Sequence, residues 1–308
     1  MDLAFDDTQA AIKDSCERLF ARHAGPARAR DLRRDNGCDR ALLRALEDDG
    51  FADLFGAEGA GPLTAALVVE WAGEAVVLAP VGNRLLVAPA LLAETPPTLI
   101  AVADADRLDA VRFAADADLL IVIDGDEAQV AARGDFAAVP VKSKFGYPFA
   151  QVSDLRGTLL APGSGAVARR WRQVAIAAEI AGTTRAALDL TTRYLRERIQ
   201  FGKAIATFQA VQHRIAELHV SVDSAEWAVR EAAWHHARAD LAAAAALTAC
   251  EAAQRAFQET HQLTGAMGFT IEYDLHLWTM RLQALRHEGG GPRAHARDLV
   301  RARWKENG

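Results

Sequence analysis

The C-terminal half of the sequence carries helical periodicity over long, nearly continuous stretches. Apolar residues recur at three- and four-residue spacing in five segments, at 168–198, 207–238, 241–264, 274–286 and 293–305. The third segment contains an alanine run from Ala242 to Ala246, which indicates tight helix packing. Long helical segments that are joined by short turns pack around a common core. The pattern therefore predicts a four-helix-type bundle with a short final helix.

The residues before this bundle divide at Pro96-Pro97, where proline ends the helical pattern. Helical spacing precedes the prolines in four segments, at 10–21, from 42–46 onward, at 63–78 and at 81–92. Short β-like runs follow them, at 99–102, 119–123, 128–132, 137–141 and 158–160. We therefore predict a mainly α fold with an N-terminal helical domain (1–97), a small central β domain (98–165) and a C-terminal helical bundle (166–308).

Composition excludes several classes of function. The chain is 51% hydrophobic with a formal net charge of −6, so nucleic acid is not expected as a partner. Cys16, Cys38 and Cys250 are isolated, which indicates neither a zinc site nor a disulfide framework. The sequence has no basic leader and no apolar run of about 18 residues. We expect a cytoplasmic protein with no metal site and no membrane partner.

Two short motifs suggest a phosphate-binding site at helix ends. In the first, Arg198 and Gln200 precede Phe201-Gly202, and Phe208-Gln209 follows shortly after. The arginine guanidinium is a planar fork that fits phosphate oxygens. In the second, Gln262 precedes Gly265 and Gly268, and glycine lets backbone N–H groups approach a phosphate closely. A third feature, Glu288, follows the next helical segment and begins a run of glycines.

The order of these motifs resembles the C-terminal domain of the acyl-CoA dehydrogenase family. That domain has an R-x-x-F-G segment, an F-Q pair, a Q-x-x-G-G-x-G turn and a Glu-Gly pair in this order. The match is best at 169–304 and weaker toward the N-terminus. The resemblance implies FAD as cofactor, an acyl-CoA thioester as substrate, α,β-dehydrogenation as the reaction and an electron-transfer acceptor protein as a partner.

The resemblance also implies a role for each cofactor-binding candidate. Arg198 and Gln200 would contact the FAD diphosphate, Phe201 would border the adenine, and Gln209 would contact the cofactor or cap a helix. Gln262, Gly265 and Gly268 would complete the cradle, although Ala266 stands where the family has a second glycine. Each residue also has an ordinary structural interpretation. Arg198 would be a cation at a helix C-terminus and Gln200 a surface amide. Phe201 would pack at the end of the bundle, and the two glycines would form a common turn between helices.

Glu288 matches the catalytic base of one branch of the family. A carboxylate there would remove the α-proton while the β-hydride leaves to the flavin. The alternative is an acid at a helix end that pairs with Arg286 or Arg293. The family's other branch has its base near the position of Arg172, so that base is absent here, and Glu179 lies about two turns further along the same helical segment.

The central domain departs from the family. Residues 72–170 contain no tryptophan, the segment is short, and the loop that supports the flavin ring is missing. The chain resembles the short subunit of heteromeric α2β2 acyl-CoA dehydrogenases, some of which act on bulky steroid-derived thioesters. A longer acyl-CoA dehydrogenase subunit would then be its partner. The alternatives are a catalytically silent scaffold subunit and a flavin-dependent monooxygenase or nitroalkane-type oxidase of the same fold.

Overall fold

The structure is a computed structural model that describes residues 4–93 and 96–304. The outer ends of the predicted first and third domains, 1–3 and 305–308, and residues 94–95 before the prolines lie outside the described residues. Helices come first, then strands, then long helices, in the predicted order. The domain boundaries themselves stay a prediction.

The N-terminal region contains four helices, α1 (Asp7–His23), α2 (Pro26–Arg34), α3 (Arg40–Asp48) and α4 (Gly61–Glu74). The fourth helix expected at 81–92 is instead a single turn of π-helix, Asn83–Val87. Pro89 follows it closely, and proline cannot supply the backbone N–H that a longer helix would need.

The central region contains two small sheets. Its seven strands are β1 (Ile100–Asp104), β2 (Val111–Arg112), β3 (Leu119–Asp124), β4 (Glu127–Ala132), β5 (Ala137–Val141), β6 (Phe149–Ser153) and β7 (Thr158–Leu159). One sheet has the order β1-β3-β4-β7, with β1 and β3 parallel, and the other is antiparallel with the order β2-β6-β5. Neither β2 nor β6 was predicted. The two residues of β2 are too few to show an alternating pattern.

The C-terminal region is a bundle of long helices. Its members are α5 (Ser164–Glu197), α6 (Gln209–Trp234), α7 (Ala239–Thr264), α8 (Leu275–Leu285) and α9 (Gly291–Trp304). The predicted tight packing of the alanine run is confirmed, because Ala242, Ala243, Ala245 and Ala246 are fully buried. A small hairpin, β8 (Ile199–Gln200) and β9 (Lys203–Ala204), connects α5 to α6.

α4 crosses α5 at very close range, which holds the N-terminal helices on the bundle. A Cβ on Gly182 would lie 1.8 Å from the Glu70 carbonyl oxygen, and a Cβ on Gly73 would lie 2.6 Å from the Glu179 carbonyl oxygen. Real Cβ atoms do not approach backbone this closely, so only glycine permits the crossing. The crossing positions α5 as the central helix, which contacts both the β region and the rest of the bundle.

Candidate functional site

The first candidate region is the hairpin at the C-terminal end of α5. The helix ends at the predicted residue, with Arg198 as its C-cap. The Phe-Gly pair that follows forms the hairpin turn, in which Phe201 (φ 54°) and Gly202 (φ 79°) both have left-handed backbone. Two such residues are typical of the type I′ turn that suits a two-residue hairpin. Phe201 is consequently 92% exposed at the tip of the hairpin.

Three side chains of this first motif are available to a ligand. Arg198 is exposed and makes no ion pair with any residue that the structure describes. Gln200 is exposed, and within the described part of the chain its Nε2 donates only to the neighbouring Ile199 carbonyl, 2.7 Å away. Gln209 is the first residue of α6 and is exposed; the cap position is Phe208, and no side chain caps the helix by a hydrogen bond.

The second candidate region is the glycine turn after α7, a short 3-10 helix at Gly265–Phe269. Gly265 has a φ of 59°, which a residue with a side chain adopts only at a cost. Gly268 is required for another reason, since a Cβ there would lie 2.1 Å from the Thr264 Oγ1. Gln262, one turn earlier on α7, is exposed.

Both regions lie at the same end of the bundle. α6 and α7 run antiparallel, and Arg214 near the start of α6 bonds through Nε to Glu259 Oε2 near the end of α7, at 2.6 Å. The Tyr273 hydroxyl, beyond the glycine turn, donates to the Leu190 carbonyl near the end of α5 at 3.0 Å. The tertiary structure thus places the two sequence motifs on one surface, which we call the clamp end (Arg198 to Gln209 and Gln262 to Gly268).

Glu288 lies in a different place, between the bundle and the β region. Its Oε1 accepts a hydrogen bond from Arg112 Nε at 3.0 Å, and its Oε2 accepts one from Arg172 Nη2 at 2.9 Å. The side chain is 12% exposed. Neither Arg286 nor Arg293, the partners considered from sequence, forms an ion pair with it in the described part of the chain.

The two arginines continue into a wider network of buried charges. Arg112 Nη1 donates to both carboxylate oxygens of Glu179 at 3.1 Å, and the Tyr147 hydroxyl donates to Glu179 Oε1 at 2.7 Å. Arg172 Nη1 lies 3.0 Å from Asp104 Oδ2. Sequence reasoning missed Arg112, because it lies far from Glu288 in sequence and in a two-residue strand.

The network determines the protonation state of Glu288. Burial by itself would raise the pKa of this carboxyl, but the charges and hydrogen bonds of Arg112 and Arg172 outweigh it and hold the pKa below its ordinary value. Each carboxylate oxygen also already accepts a hydrogen bond. A general base needs basicity and a free oxygen, so the arrangement weakens Glu288 in that role. Glu288 as catalytic base stays a prediction.

We call Glu288 together with Arg112 and Arg172 the carboxylate centre. Two cavities border it. One, of about 730 Å³, is lined by Arg112, Glu288 and the loop that carries Lys142 and Lys144. The other, of about 560 Å³, lies toward α9. Arg172 and Gly289 line both cavities, so the carboxylate centre forms part of the wall between them.

The carboxylate centre and the clamp end lie far apart on α5. Arg172 contacts Glu288, whereas Glu197 ends the helix beside Arg198. With a rise of 1.5 Å per residue, the 25 residues between Arg172 and Glu197 span about 38 Å. The clamp end and the carboxylate centre of one chain therefore form two separate sites.

Two absences among the described residues bear on the predicted classes of function. In residues 4–93 and 96–304, no helix combines the length and the hydropathy needed to cross a lipid bilayer. Over the same residues, no three or more His, Cys, Asp and Glu side chains are grouped so that they could hold a metal ion.

Known proteins are similar to this chain at both the sequence and the structural level. The family model described as the C-terminal domain of acyl-CoA dehydrogenase matches residues 170–304. Over almost the whole length, the acyl-CoA dehydrogenase IpdE2 of Mycobacterium tuberculosis is 32% identical across 314 residues, which cover 96% of each protein.

The solved structures that resemble it share its fold. A chain of the ChsE4–ChsE5 complex from Mycobacterium tuberculosis superposes with a TM-score of 0.83 at 19% identity, covering 98% of both chains. A chain of a variant of the Tcur3481–Tcur3483 steroid ACAD superposes with a TM-score of 0.80 at 20% identity, covering 98% of this chain and 99% of the other. The predicted fold, mainly α with a small β region before a helical bundle, is confirmed.

Proposed function

Because this chain belongs to the acyl-CoA dehydrogenase family, we propose that it is one subunit of a heteromeric FAD-dependent dehydrogenase, in which it holds the adenine and diphosphate half of the cofactor. A longer family subunit carries the flavin ring. The observation that carries this proposal is the separation of about 38 Å along α5 between the clamp end and the carboxylate centre. A cofactor whose diphosphate binds at the clamp end cannot also place its ring beside Glu288 of the same chain, which supports a ring site on another chain.

The residues of the clamp end fit a diphosphate. Arg198 offers an exposed guanidinium that no described carboxylate neutralises, and bidentate arginine–phosphate pairs are among the strong charge-assisted hydrogen bonds. At the glycine turn, Gly265 is exposed and no atom lies within 4 Å of the place where a Cβ would stand, so its backbone is open to a close approach. The exposed Phe201 ring supplies an apolar face for the adenine.

FAD, when bound, supplies the acceptor for the hydride that leaves the β-carbon of the thioester. This chain's contribution is to hold and orient the cofactor: Arg198 neutralises diphosphate charge, while Gln200, Gln209 and Gln262 offer amide hydrogen bonds. All of these groups lie at or near the ends of helices or strands of the bundle. Because the fold already sets the positions of these backbone segments, less conformational freedom is lost when the cofactor binds.

We propose further that the longer subunit supplies the base. In this chain Glu288 fastens the β region to the bundle through Arg112 and Arg172, and its depressed pKa disfavours proton uptake. A catalytically silent scaffold subunit is therefore the second candidate function. The two candidate functions differ at the clamp end, because a scaffold subunit needs no cofactor contact there.

The substrate class follows from the relatives only as a proposal. The resembling Tcur3481–Tcur3483 protein is named a steroid ACAD, and the ChsE4–ChsE5 complex contains two different subunits. These support a bulky, steroid-derived acyl-CoA thioester for the complex, with electrons passing on to an electron-transfer acceptor protein. Free Cys16, Cys38 and Cys250 support a cytoplasmic location.

The test is to produce the chain alone and together with a longer acyl-CoA dehydrogenase subunit encoded beside it, and to measure FAD per polypeptide by absorbance. We expect little FAD on the chain alone and a yellow complex with fewer flavins than polypeptides. One FAD bound per polypeptide in the chain alone would overturn the proposal, as would a mixed complex that holds no flavin.

A further inference from the structure

A buried histidine lies beside the glycine turn of the clamp end. His261 is in the last turn of α7, directly before Gln262, and is 7% exposed. Its ring contacts two phenylalanine rings, with centroid distances of 4.7 Å to Phe257 and 4.6 Å to Phe269. The proposed cofactor contacts leave this histidine without a role, although it adjoins the residues that would hold the diphosphate.

The hydrogen bonds around the His261 ring leave one nitrogen open to a proton. The Thr279 hydroxyl of α8 donates to the Leu275 carbonyl at 3.1 Å, so its oxygen can accept from His261 Nε2 at 3.0 Å. Nε2 therefore carries the hydrogen of the neutral ring. Nδ1 is buried and has no hydrogen-bond partner among the described residues. An added proton on Nδ1 would turn this unpaired nitrogen into a donor.

Three features of the turn favour a positive charge on the ring. The backbone of Gly268 favours the protonated form, as a carbonyl oxygen does because it accepts from an added N–H. The last turn of a helix, where His261 lies, is the negative end of the helix dipole. Both phenylalanine centroids are within the distance at which an aromatic ring attracts a cation. Protonated His261 would therefore fit the turn.

Other features keep the ring neutral in the chain alone. Burial, together with the charge of His276 on α8, lowers the pKa of His261 below its ordinary value. No carboxylate of the described residues forms an ion pair with His261. The charged side chains of the elements packed around it act elsewhere: Glu259 of α7 on Arg214 of α6, Arg281 of α8 on the Val77 carbonyl, Asp274 on Arg30 of α2, and Arg193 and Glu197 of α5 on Tyr273.

We infer that His261 takes up a proton from water when the FAD diphosphate binds at the clamp end, and that cofactor retention is therefore stronger at lower pH. The diphosphate brings the negative charge that the surrounding chain does not supply. His261 adjoins the predicted cradle at two points, since it precedes Gln262 in sequence and its ring meets the Gly268 backbone. The inference rests on the proposed function, because it needs a diphosphate at this place.

The direction of the pH effect follows from linkage. A negative charge beside the ring favours the imidazolium, so the pKa of His261 is higher in the FAD-bound chain than in the free chain. As pH falls from 7.5, the bound chain takes up the proton first, and FAD affinity rises. Protonated Nδ1 then donates to the Gly268 carbonyl and fixes the glycine turn. His261 acts through that turn, which makes it a positioning residue.

The first test is FAD titration of the assembled apo complex by flavin fluorescence at pH 5.5 and pH 7.5. His261→Gln keeps an amide donor for Thr279 but cannot take up a proton. At pH 7.5 we expect the variant to bind FAD as the wild type does. The gain in affinity on going to pH 5.5 should be about tenfold larger in the wild type. Equal gains overturn the inference, and so does a variant that is weaker by the same factor at both pH values.

Two other histidines provide matched controls. His213 is exposed and lies about one turn along α6 from Gln209, so His213→Gln should keep the wild-type gain. The charge of His276 opposes protonation of His261, so His276→Gln should keep the gain and move it to higher pH. Thermal melts check that each variant is folded. If either control loses the gain while His261→Gln keeps it, the proton belongs to another histidine and the inference fails.

The second test counts the protons. Isothermal titration of the apo complex with FAD at about pH 6.5, in buffers of different ionisation enthalpy, gives the number of protons taken up per FAD bound. We expect uptake in the wild type that His261→Gln lowers, and equal uptake in both overturns the inference. Arg198→Ala separates the two proposals. If it weakens FAD binding while proton uptake does not depend on His261, only this inference fails; if it leaves binding unchanged, the proposed clamp fails and the inference with it.

Discussion

Arg112 donates from Nε to Glu288 Oε1 across 3.0 Å, although 176 residues separate them in sequence. The contact joins strand β2 to the turn between α8 and α9, with Arg172 of α5 on the other carboxylate oxygen. The carboxylate that sequence predicts as a base is therefore the meeting point of three elements. Removing this carboxylate should lower the free energy of unfolding, whether or not it also slows flavin reduction.

Replacing Glu288 by Gln tests whether this carboxylate acts mainly in catalysis or mainly in holding the fold together. We expect flavin reduction by substrate in the assembled complex to change by less than about threefold, since another subunit holds the base. The free energy of unfolding should fall by about 3 kcal/mol, because Arg112 and Arg172 lose a buried counter-charge. Stopped-flow bleaching and urea titration measure the two effects.

Glu272→Gln is the control for Glu288→Gln, since Glu272 is exposed. It should change neither quantity. Flavin bleaching that slows by about 100-fold or more in Glu288→Gln, with stability unchanged, would instead identify Glu288 as the general base.

Arg198→Ala should weaken FAD binding to the assembled complex by about 10- to 100-fold, the loss expected for one charge-assisted contact. Arg198→Lys should recover only part of it, because a point charge cannot replace the planar fork. The thermal midpoint of the apo chain should stay the same, since Arg198 is exposed. Flavin fluorescence titration measures the affinity.

Arg196→Ala is the matched control, because Arg196 is also exposed and lies in the last turn of α5. It should retain wild-type affinity. If Arg198→Ala binds FAD as tightly as the wild type, the clamp assignment fails and the silent scaffold becomes the better interpretation.

Gly268→Ala should disrupt the glycine turn, because its Cβ would meet Thr264 Oγ1 at 2.1 Å. We expect a lower thermal midpoint and faster FAD loss from the complex. Adding Thr264→Ala removes the clashing oxygen, so the double variant should regain FAD retention relative to Gly268→Ala alone. Thermal melts and flavin release rates measure this. A Gly268→Ala variant with wild-type stability and retention would show that the turn has room for a methyl group.

Glu70 should make the chain less stable as pH rises. Burial raises the pKa of Glu70 to about 8, against the opposing charge of Arg230. Between about pH 4.5 and pH 8 the folded state keeps a proton that the unfolded state releases, so stability falls across this window. Glu70→Gln removes that dependence, and Arg230 keeps Glu226 at 3.6 Å as its counter-charge.

Urea midpoints measured from about pH 5 to pH 9 should therefore decline less steeply in Glu70→Gln than in the wild type. Glu58→Gln, at an exposed position, should leave the wild-type slope intact. Equal slopes in Glu70→Gln and the wild type would mean that Glu70 is ionised in the folded state over this range.

Local features of the fold were predictable because their causes are local. Arg198 ends α5 and Gln209 begins α6 as expected, since apolar periodicity stops and starts at those residues. The same reasoning failed at 81–92, where periodicity continues but Pro89 limits the element to one π-helical turn. It also missed β2, whose two residues have no period to detect.

What the sequence by itself determined is the long helices of the C-terminal bundle, the mainly α class and the order of the cofactor motifs, because residue spacing and glycine backbone preferences act within a few positions. Only the tertiary structure decided that the two clamp motifs share one end of the bundle and that Glu288 lies about 38 Å from it along α5. Only the structure, likewise, brought Arg112 and Arg172 to Glu288. The pKa of a carboxyl group depends on the charges that chain packing places beside it, and those come here from distant parts of the sequence.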